Sequence, residues 1–561
     1  MLAKILNIKF LIIIVLFGAF LRFTSLNQMP PALNWDEISH GYNAYSILKT
    51  GKDQWGQLFP IANFRAYGDY PLPLNLYLTI PFEIVFGLSQ TSIRLPQALL
   101  GTLTIVSVYF LAEGISKNKK ISLLAAFLTA IDPWFLFPSR AVFQSNLSVF
   151  FLITALSFFF NREKNKWFIV FTHLCLGLTL YSYHSTRIFT PILIVILLFI
   201  YKEEFINHLK NIFKKREILI SCLLFMIFFL PLPFILLSPS ARARSGVVFI
   251  IDQGAVNNIN NLRNSSTSPF RKLIYNKVTY FTVTFAKNYV NYFSPQFLFT
   301  NGGTQYQFSV PNQGILYLVT LPFLYFGFFI LIVRAFRNRD YLFLLLWLLL
   351  APIPAAITVD ASAVIRATTM LPIPEILIAI GFYEFINKFK KYEFILSFGF
   401  IIVLLFSLEN YLNIYANSYR TNYSWAWQYG YEQAVDYVKA NYHNYDQIIT
   451  TKAYGEPHEF FLFYLQYDPQ KYLSDPNKIT FYQSNWYWVD HFDKFWFVND
   501  WQVTQFANKN QFITESKHVT DCSSQRCLLI TTPNNHPGNW KLIDTIKFLD
   551  GKTAFEIYSN T

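Results

Sequence analysis

Two adjacent carboxylates, Asp36 and Glu37, are the residues of this sequence best placed for acid–base chemistry. They lie shortly after the first long apolar segment, residues 8–26. A short amphipathic helix over residues 43–48, ended by Gly51, is predicted to follow them. A carboxylate beside the N-terminal amides of a helix stays ionised and can accept a proton from a hydroxyl. The pair therefore indicates a general base, and the alternative is that Asp36 only caps the helix.

The composition is that of a protein with many membrane spans. Of 561 residues, 53% are hydrophobic and 14% are charged, whereas a soluble protein carries roughly a quarter charged residues. Apolar runs near the ~20 residues needed to cross a bilayer recur as far as residue 411. The net charge of +13 comes from Lys and Arg clustered in short connections, which is typical of topogenic loops and not of a nucleic-acid surface.

About eleven transmembrane helices are predicted, with the N-terminus in the cytoplasm. They are placed at residues 8–26, 94–115, 121–138, 146–161, 167–183, 187–202, 217–237, 313–335, 341–358, 365–386 and 393–411. The connections that this count puts inside are all basic, as the positive-inside rule requires. Residues 72–87 are left out because a span there would move every later basic connection to the outside. This stretch, with Pro71 before it and Pro73 and Pro81 within it, is predicted to form an interfacial or re-entrant helix on the outer face.

The predicted fold is a polytopic α-helical membrane protein with a C-terminal extracytoplasmic α/β domain. Residues 1–412 form the predicted transmembrane catalytic domain, in which residues 27–93 are the outer catalytic loop and residues 238–312 a second large outer loop. Residues 413–561 contain no further spanning candidate, and the predicted span count places them outside. Their alternating helical and β-prone stretches predict an α/β domain. The protein is therefore expected to be a multi-pass plasma-membrane protein whose working side is external.

Within the C-terminal domain, seven elements are predicted. They are helices near 430–441 and 456–467 and strands near 447–451, 478–482, 493–498, 527–532 and 542–558. The many Trp and Tyr side chains indicate core and interface packing, and the alternatives are stacking on sugars and contact with the membrane surface. Cys522 and Cys527 can form a local disulfide if this domain is outside the cell.

The first outer loop resembles the polyprenyl-phosphate-dependent glycosyltransferases of the GT-C superfamily, in particular the group with protein O-mannosyltransferases and lipid A aminoarabinose transferases. The resemblance covers residues 1 to about 160 most specifically. It is carried by the acidic pair, a Gly-Lys-Asp-x-x-Gly-x-x-x-Pro run ending at Pro60, Gly68-Asp69-Tyr70 before a proline-containing apolar helix, Arg94-Leu95-Pro96, and Pro138-Ser139-Arg140.

The resemblance implies transfer of a sugar from a polyprenyl-phosphate donor to a hydroxyl of a protein, lipid or cell-wall glycan, with inversion at the anomeric carbon. Asp36 is then the expected general base. Glu37 is expected to position the acceptor or to raise the pKa of the base by like-charge repulsion. Asp69, Tyr70 and Arg65 are expected to bind substrate. No metal-ligand spacing is visible, so no cofactor is assigned, and a divalent cation near Asp36 is left open.

Two positions depart from the family pattern. Many relatives carry a Lys just before the prolines of the interfacial helix, where this chain has Pro71. Many also carry an acid a few residues beyond the arginine that corresponds to Arg140, where this chain reads Gln144-Ser145-Asn146. Binding of the donor phosphate is therefore expected to depend on other cations.

Cationic side chains at the outer ends of spans are the candidates for the donor phosphate, because guanidinium donors match phosphate oxygens. They are Arg65, Arg94, Arg140, His184, Arg187, Arg242, Arg244 and Arg366. Arg140, Arg187 and Arg366 are favoured because each borders a span. The alternative is that some of them extend to lipid headgroups or pair with acids such as Asp132 and Asp360.

Two other functions fit a chain with many spans. A transporter or lipid flippase of envelope precursors is the first, although the spans contain few charges and no inverted repeat is apparent. A non-catalytic surface assembly protein, with the terminal domain recruiting partners, is the second. The expected partners of the favoured transferase are the lipid-phosphate sugar, its acceptor and the bilayer, with no nucleic acid.

Overall fold

The computed structural model of the chain describes residues 2–210, 214–238, 248–483, 486–505 and 510–561. The chain divides into two compact units. The first comprises Met1–Thr24 and Gln97–Asn413, and the second comprises Ser25–Pro96 and Ile414–Thr561. The domains predicted from the sequence keep residues 27–93 with the membrane helices, whereas the contacts group these residues with the C-terminal part of the chain. The acidic pair therefore folds with the C-terminal residues.

In the described part of the chain up to residue 413, the regular elements are helices. Its α-helices are α1 (Leu2–Phe23), α2 (Trp35–Thr50), α3 (Leu74–Phe86), α4 (Gln90–Ser116), α5 (Lys119–Ile131), α6 (Pro133–Leu136), α7 (Gln144–Phe160), α8 (Phe168–Thr179), α9 (His184–Ile200), α10 (Lys202–Lys210), α11 (Arg216–Phe229), α12 (Leu232–Leu236), α13 (Gln253–Ser265), α14 (Arg271–Ile274), α15 (Lys277–Asn291), α16 (Leu321–Ala335), α17 (Arg339–Leu350), α18 (Ile353–Ala356), α19 (Ile373–Lys388) and α20 (Glu393–Asn413).

Among the described residues, 6 helices are long and apolar enough to cross a membrane. They are Gln90–Ser116, Arg216–Leu236, Leu318–Ala335, Arg339–Ala356, Ala367–Lys388 and Lys390–Asn422. The count becomes 7 if Lys119–Ile131 and Pro133–Arg140, which are bent by 60°, form one span. The predicted count of eleven is not confirmed, since α7, α8 and α9 have 17, 12 and 17 residues, and a span needs about 20.

Helix α3 occupies the apolar stretch that was left out of the predicted spans. It has 13 residues, a length of about 20 Å at 1.5 Å per residue, and it contains Pro81. A hydrocarbon core of about 30 Å is thicker than this helix is long. Helix α3 alone is therefore too short to span the membrane.

The second unit combines α2 and α3 with a mixed sheet. Its further helices are α21 (Arg420–Asn422), α22 (Tyr431–Ala440), α23 (Pro457–Tyr464), α24 (Pro469–Ser474) and α25 (Asp500–Gln505). Its strands are β1 (Gln447–Thr451), β2 (Ile479–Gln483), β3 (Trp486–Phe492), β4 (Phe495–Val498), β5 (Gln511–Ile513), β6 (Val519–Asp521), β7 (Cys527–Thr531), β8 (Lys541–Lys547) and β9 (Thr553–Ser559).

The main sheet has 7 strands in the order β2-β3-β4-β1-β7-β9-β8, and β5 pairs with β6 separately. Strand β1 lies at its centre and runs parallel to β4 and β7, with Ile448 opposite both Phe495 and Leu528. Four of the five β1 residues are buried, as expected for a parallel strand covered on both faces. The C-terminal sheet domain predicted from the sequence is thus confirmed. A disulfide joins Cys522, after β6, to Cys527 at the start of β7.

Helix α2 owes its ends to local sequence. Asn34 caps it, since its side chain accepts from the Glu37 amide at 2.9 Å while the Glu37 carboxylate accepts from the Asn34 amide at 3.3 Å. This capping box satisfies amides that the first turn leaves without partners. At the other end Gly51 adopts φ 73°, a left-handed conformation that glycine adopts without steric cost. The helix therefore starts at Trp35 and spans Trp35–Thr50, longer than residues 43–48 predicted from the sequence.

Candidate active site

Asp36 lies in the first turn of α2 and is partly exposed. Its carboxylate Oδ1 accepts a hydrogen bond from the hydroxyl of Tyr67, and its carbonyl contacts Nδ1 of His40 at 2.8 Å. The helix N-terminus favours the ionised carboxylate. One oxygen of Asp36 is therefore held by Tyr67 while the residue is still partly exposed to solvent. This combination suits a base that must contact a substrate.

Glu37 has a different environment from its neighbour. Its side chain is 0% exposed and forms two parallel hydrogen bonds with Arg94, Nε to Oε1 and Nη2 to Oε2, each 2.9 Å. The remaining Arg94 donors bind backbone carbonyls, namely those of Leu26, Pro30 and Ala32. The positive charge of Arg94 offsets the repulsion that Glu37 was expected to exert on Asp36.

These contacts give Glu37 and Arg94 a structural position, and the roles predicted for them stay predictions. Glu37 completes the capping box and a buried ion pair, so its contacts stabilise the start of α2. Arg94 is 0% exposed, and a lipid phosphate would have to compete with Glu37 and three carbonyls for its donors. Phosphate binding by Arg94 stays a prediction that these contacts do not favour.

Tyr67, which sequence reasoning did not single out, connects Asp36 to the C-terminal residues. Its ring stacks on Trp486 with centroids 5.2 Å apart and planes at 22°. Its carbonyl accepts from the amide of Tyr487 at 3.1 Å. Gly68 makes this approach feasible, because a Cβ there would lie 1.8 Å from the Trp486 ring. The glycine of the Gly68-Asp69-Tyr70 motif was the signal available in the sequence, since glycine permits a close approach to the backbone.

The predicted substrate-binding residues Arg65, Asp69 and Tyr70 lie on the same loop as Tyr67. The Arg65 guanidinium lies 3.8 Å from the ring centroid of Tyr487, a cation–π contact. The Tyr70 hydroxyl lies 3.5 Å from that of Tyr487, and burial followed by this contact raises the pKa of Tyr70 to about 12. All three residues are half-buried, so part of each side chain is exposed at the surface of the loop. Substrate binding by them stays a prediction.

A buried group of titratable side chains from α23 and the residue before it lies in the same unit. His458 is 1% exposed and lies between Glu456, 3.4 Å from Nδ1, and Glu459, 3.6 Å from Nε2. Burial alone lowers the pKa of His458, but the two carboxylates outweigh it and raise the pKa to about 9. Burial lowers the pKa of His40 to about 4, so this ring is neutral near pH 7. Glu456 in turn accepts from the indole N–H of Trp486.

In the first unit, Arg140 and Arg187 bind the carbonyl ends of helices. Arg140 is 3% exposed and donates to the carbonyls of Leu21, of Arg22 at 3.2 Å and of Thr24 at 2.7 Å, at the end of α1. Arg187 is also 3% exposed, and its Nε donates to the carbonyl of Leu180 at 2.9 Å, just after α8. Cations are favoured at helix C-termini. These arginines therefore have a structural use whether or not they also meet a phosphate.

His184 and Arg366 are brought together by the fold of the first unit. Both line one cavity, with Tyr183, Ser185 and Thr358 among its other walls. Arg366 is half-buried and its Nη1 donates to Oγ1 of Thr358 at 3.0 Å. The rest of the lining is largely apolar, and the guanidinium, the imidazole and the hydroxyls are the groups in this cavity that can bind an anion. Arg242 and Arg244 lie outside the described residues.

In the part of the chain that the structure describes, no group of three or more His, Cys, Asp or Glu side chains could hold a metal ion. The carboxylate next to Asp36 is engaged by Arg94. A divalent cation at Asp36 therefore stays a prediction.

Residues 69–234 match the family model described as dolichyl-phosphate-mannose-protein mannosyltransferase. No curated protein matches the sequence. Among solved structures, ArnT from Cupriavidus metallidurans gives a TM-score of 0.52 in the apo state and 0.50 bound to undecaprenyl phosphate. Both are 10% identical and cover 100% of this chain and 99% and 98% of ArnT. This likeness concerns the fold.

The oligosaccharyltransferase of Archaeoglobus fulgidus in the apo form gives a TM-score of 0.48 at 15% identity. The match covers 82% of this chain and 63% of that protein, so the chain spans less than two thirds of its length. The matching family model is that of a GT-C glycosyltransferase family, and ArnT has the same fold. The resemblance to the GT-C superfamily is thereby confirmed, while Asp36 and Glu37 lie outside the residues that the family model matches.

Proposed function

We propose that this chain, which has the fold of the GT-C glycosyltransferases, is a membrane glycosyltransferase that moves a sugar from a polyprenyl-phosphate donor to an acceptor hydroxyl on the outer face. The acceptor is a protein, a lipid or a cell-wall glycan. One observation carries the proposal: of the two adjacent carboxylates, Glu37 is buried and paired with Arg94, whereas Asp36 is partly exposed and anchored by Tyr67. Asp36 is thus the member of the pair suited to act as a base.

In the proposed reaction Asp36 takes the proton of the acceptor hydroxyl while the hydroxyl oxygen bonds to the anomeric carbon. The bond from that carbon to the donor phosphate oxygen breaks, and its electron pair leaves with the lipid phosphate. Attack from the side opposite the leaving group inverts the anomeric carbon. Cations near the leaving phosphate stabilise its growing negative charge.

His184 and Arg366 are the first choice for that phosphate, supported by the cavity they share. Arg140 and Arg187 are second, because each already binds helix carbonyls. We further propose the eleven-span topology with a cytoplasmic N-terminus in the plasma membrane, supported by the basic inner connections. That count treats the shorter helices α7, α8 and α9 as spans.

The test is to incubate membranes containing the chain with a panel of polyprenyl-phosphate monosaccharides labelled in the sugar. Transfer of label to an acceptor is expected, and Asp36→Asn should lower its rate about 10²- to 10⁴-fold, the usual contribution of a general base. Asp544→Asn, an exposed acid on the edge strand β8, is the matched control. If no donor in the panel labels an acceptor, the transferase proposal fails; full activity of Asp36→Asn would remove Asp36 as the base.

A further inference from the structure

Tyr67 is the side chain whose hydroxyl donates to the carboxylate of Asp36. It comes from the loop between α2 and α3, and its side chain is 3% exposed. Burial, followed by the nearby charge of Asp36 and the hydrogen bond to it, raises the pKa of Tyr67 well above its ordinary value. The phenol therefore stays protonated and acts as a donor across the physiological pH range.

Strand β3 holds Tyr67 from two directions. Trp486 stacks on its ring, and the amide of Tyr487 donates to its carbonyl at 3.1 Å. Trp486 is itself fixed, because its indole N–H donates to the buried carboxylate of Glu456. A tyrosine clamped at ring and backbone presents its hydroxyl in one direction only.

We propose that Tyr67 is a positioning residue that sets the orientation and the protonation of Asp36, and that strand β3 completes the candidate active site by clamping Tyr67. This rests on the proposed function, in which Asp36 is the base. A hydrogen bond to a carboxylate favours the ionised form. The hydroxyl of Tyr67 therefore favours the ionised form of Asp36 and fixes the orientation of its carboxylate.

Other titratable groups lie on the elements around this contact. They are Glu37 and His40 on α2, Arg65, Asp69 and Tyr70 on the loop, and Glu456, His458 and Glu459 at α23. Of these, the charges of Glu459 and Asp69 act on Tyr67 together with that of Asp36. Glu37 is balanced by Arg94, and His458 is balanced by its two carboxylate neighbours. Removal of the Tyr67 hydroxyl alone leaves all of these groups in place, so its effect on Asp36 can be isolated.

The experiment measures protonation of Asp36 directly in the purified full chain. Dicyclohexylcarbodiimide modifies protonated carboxyls, and mass spectrometry of the peptide containing Asp36 gives the extent of labelling between pH 4 and pH 8. Because Tyr67→Phe removes a hydrogen bond to the charged form, the labelling midpoint should move upward by about 1–2 pH units. Where a donor supports transfer, the acid limb of the pH–rate profile should move upward by the same amount.

Tyr42→Phe is the matched control, since Tyr42 is a buried tyrosine on the same helix whose hydroxyl donates to the Tyr467 carbonyl at 3.0 Å. Its labelling midpoint should equal that of the wild type. Trp486→Phe keeps the Tyr67 hydroxyl but loosens the stacking, and should move the midpoint in the same direction by less.

An unchanged midpoint in both Tyr67→Phe and Trp486→Phe overturns the proposal, as does an equal shift in Tyr42→Phe. If only the proposed function is wrong, the result is different. The wild type then transfers no sugar from any donor, while Tyr67→Phe still shifts the pH midpoint of labelling.

Discussion

The ion pair between Glu37 and Arg94 allows a quantitative prediction. Both side chains are 0% exposed, and two hydrogen bonds of 2.9 Å join them. Arg94→Met preserves much of the side-chain volume but leaves the Glu37 carboxylate buried without its cation, and it also removes the partner of three backbone carbonyls. Breaking a buried pair by removing one partner costs about 3–5 kcal/mol. The second unit should lose stability by this amount.

For a unit of this size, that loss lowers Tm by roughly 6–20 °C. Thermal unfolding of the purified chain in detergent, followed by tryptophan fluorescence, measures it. The double variant Glu37→Gln with Arg94→Met should recover part of the loss, because no uncompensated buried charge remains. Arg526→Met is the control: the pair of Arg526 with Asp446 is 54% and 43% exposed, and such pairs contribute about 0–1 kcal/mol.

Two results would refute this reasoning. One is a Tm of Arg94→Met no lower than that of the exposed control Arg526→Met. The other is a double variant as unstable as the single one, which would mean that the buried charge is not the cause. A variant Glu37→Gln that folds normally and yet transfers no sugar would return Glu37 to a catalytic role.

Two further predictions concern the same unit. The pKa of His458 is raised to about 9 by Glu456 and Glu459. The contribution of this charged histidine to stability is therefore complete below about pH 6.5, the ordinary pKa of histidine, and is lost as the pH rises through 9. Tm should fall between these two pH values. Gly68→Ala should reduce both Tm and transfer, because its Cβ would lie 1.8 Å from the Trp486 ring and the ring must move away from Tyr67.

Each of these has a matched comparison. His458→Gln should flatten the alkaline fall in Tm, and a fall that persists unchanged assigns it to other groups. Gly538→Ala is the control for Gly68→Ala, since a Cβ at Gly538 meets nothing within 4 Å. Equal stability and activity of the two alanine variants would show that Trp486 adapts without disturbing Tyr67.

Much of the architecture could be predicted from the sequence because it depends on local pattern. Apolar runs indicate membrane helices. The strand predicted at 447–451 is observed at Gln447–Thr451, because four of its five residues are β-branched and favour a strand. The number of spans could not be fixed in the same way. A hydropathy pattern does not predict the bend of 60° after Ile131 or the short length of α8.

The candidate site divides along similar lines. The sequence alone determined that an acidic pair follows the first apolar segment and precedes a helix, since residue type and spacing are local properties. Only the tertiary structure decided which acid of the pair is accessible. That outcome depends on Arg94, 57 residues further along the chain, and on Tyr67 and Trp486, whose contacts join segments hundreds of residues apart. Charge compensation and burial are set by neighbours in space, and no local pattern in one sequence specifies them.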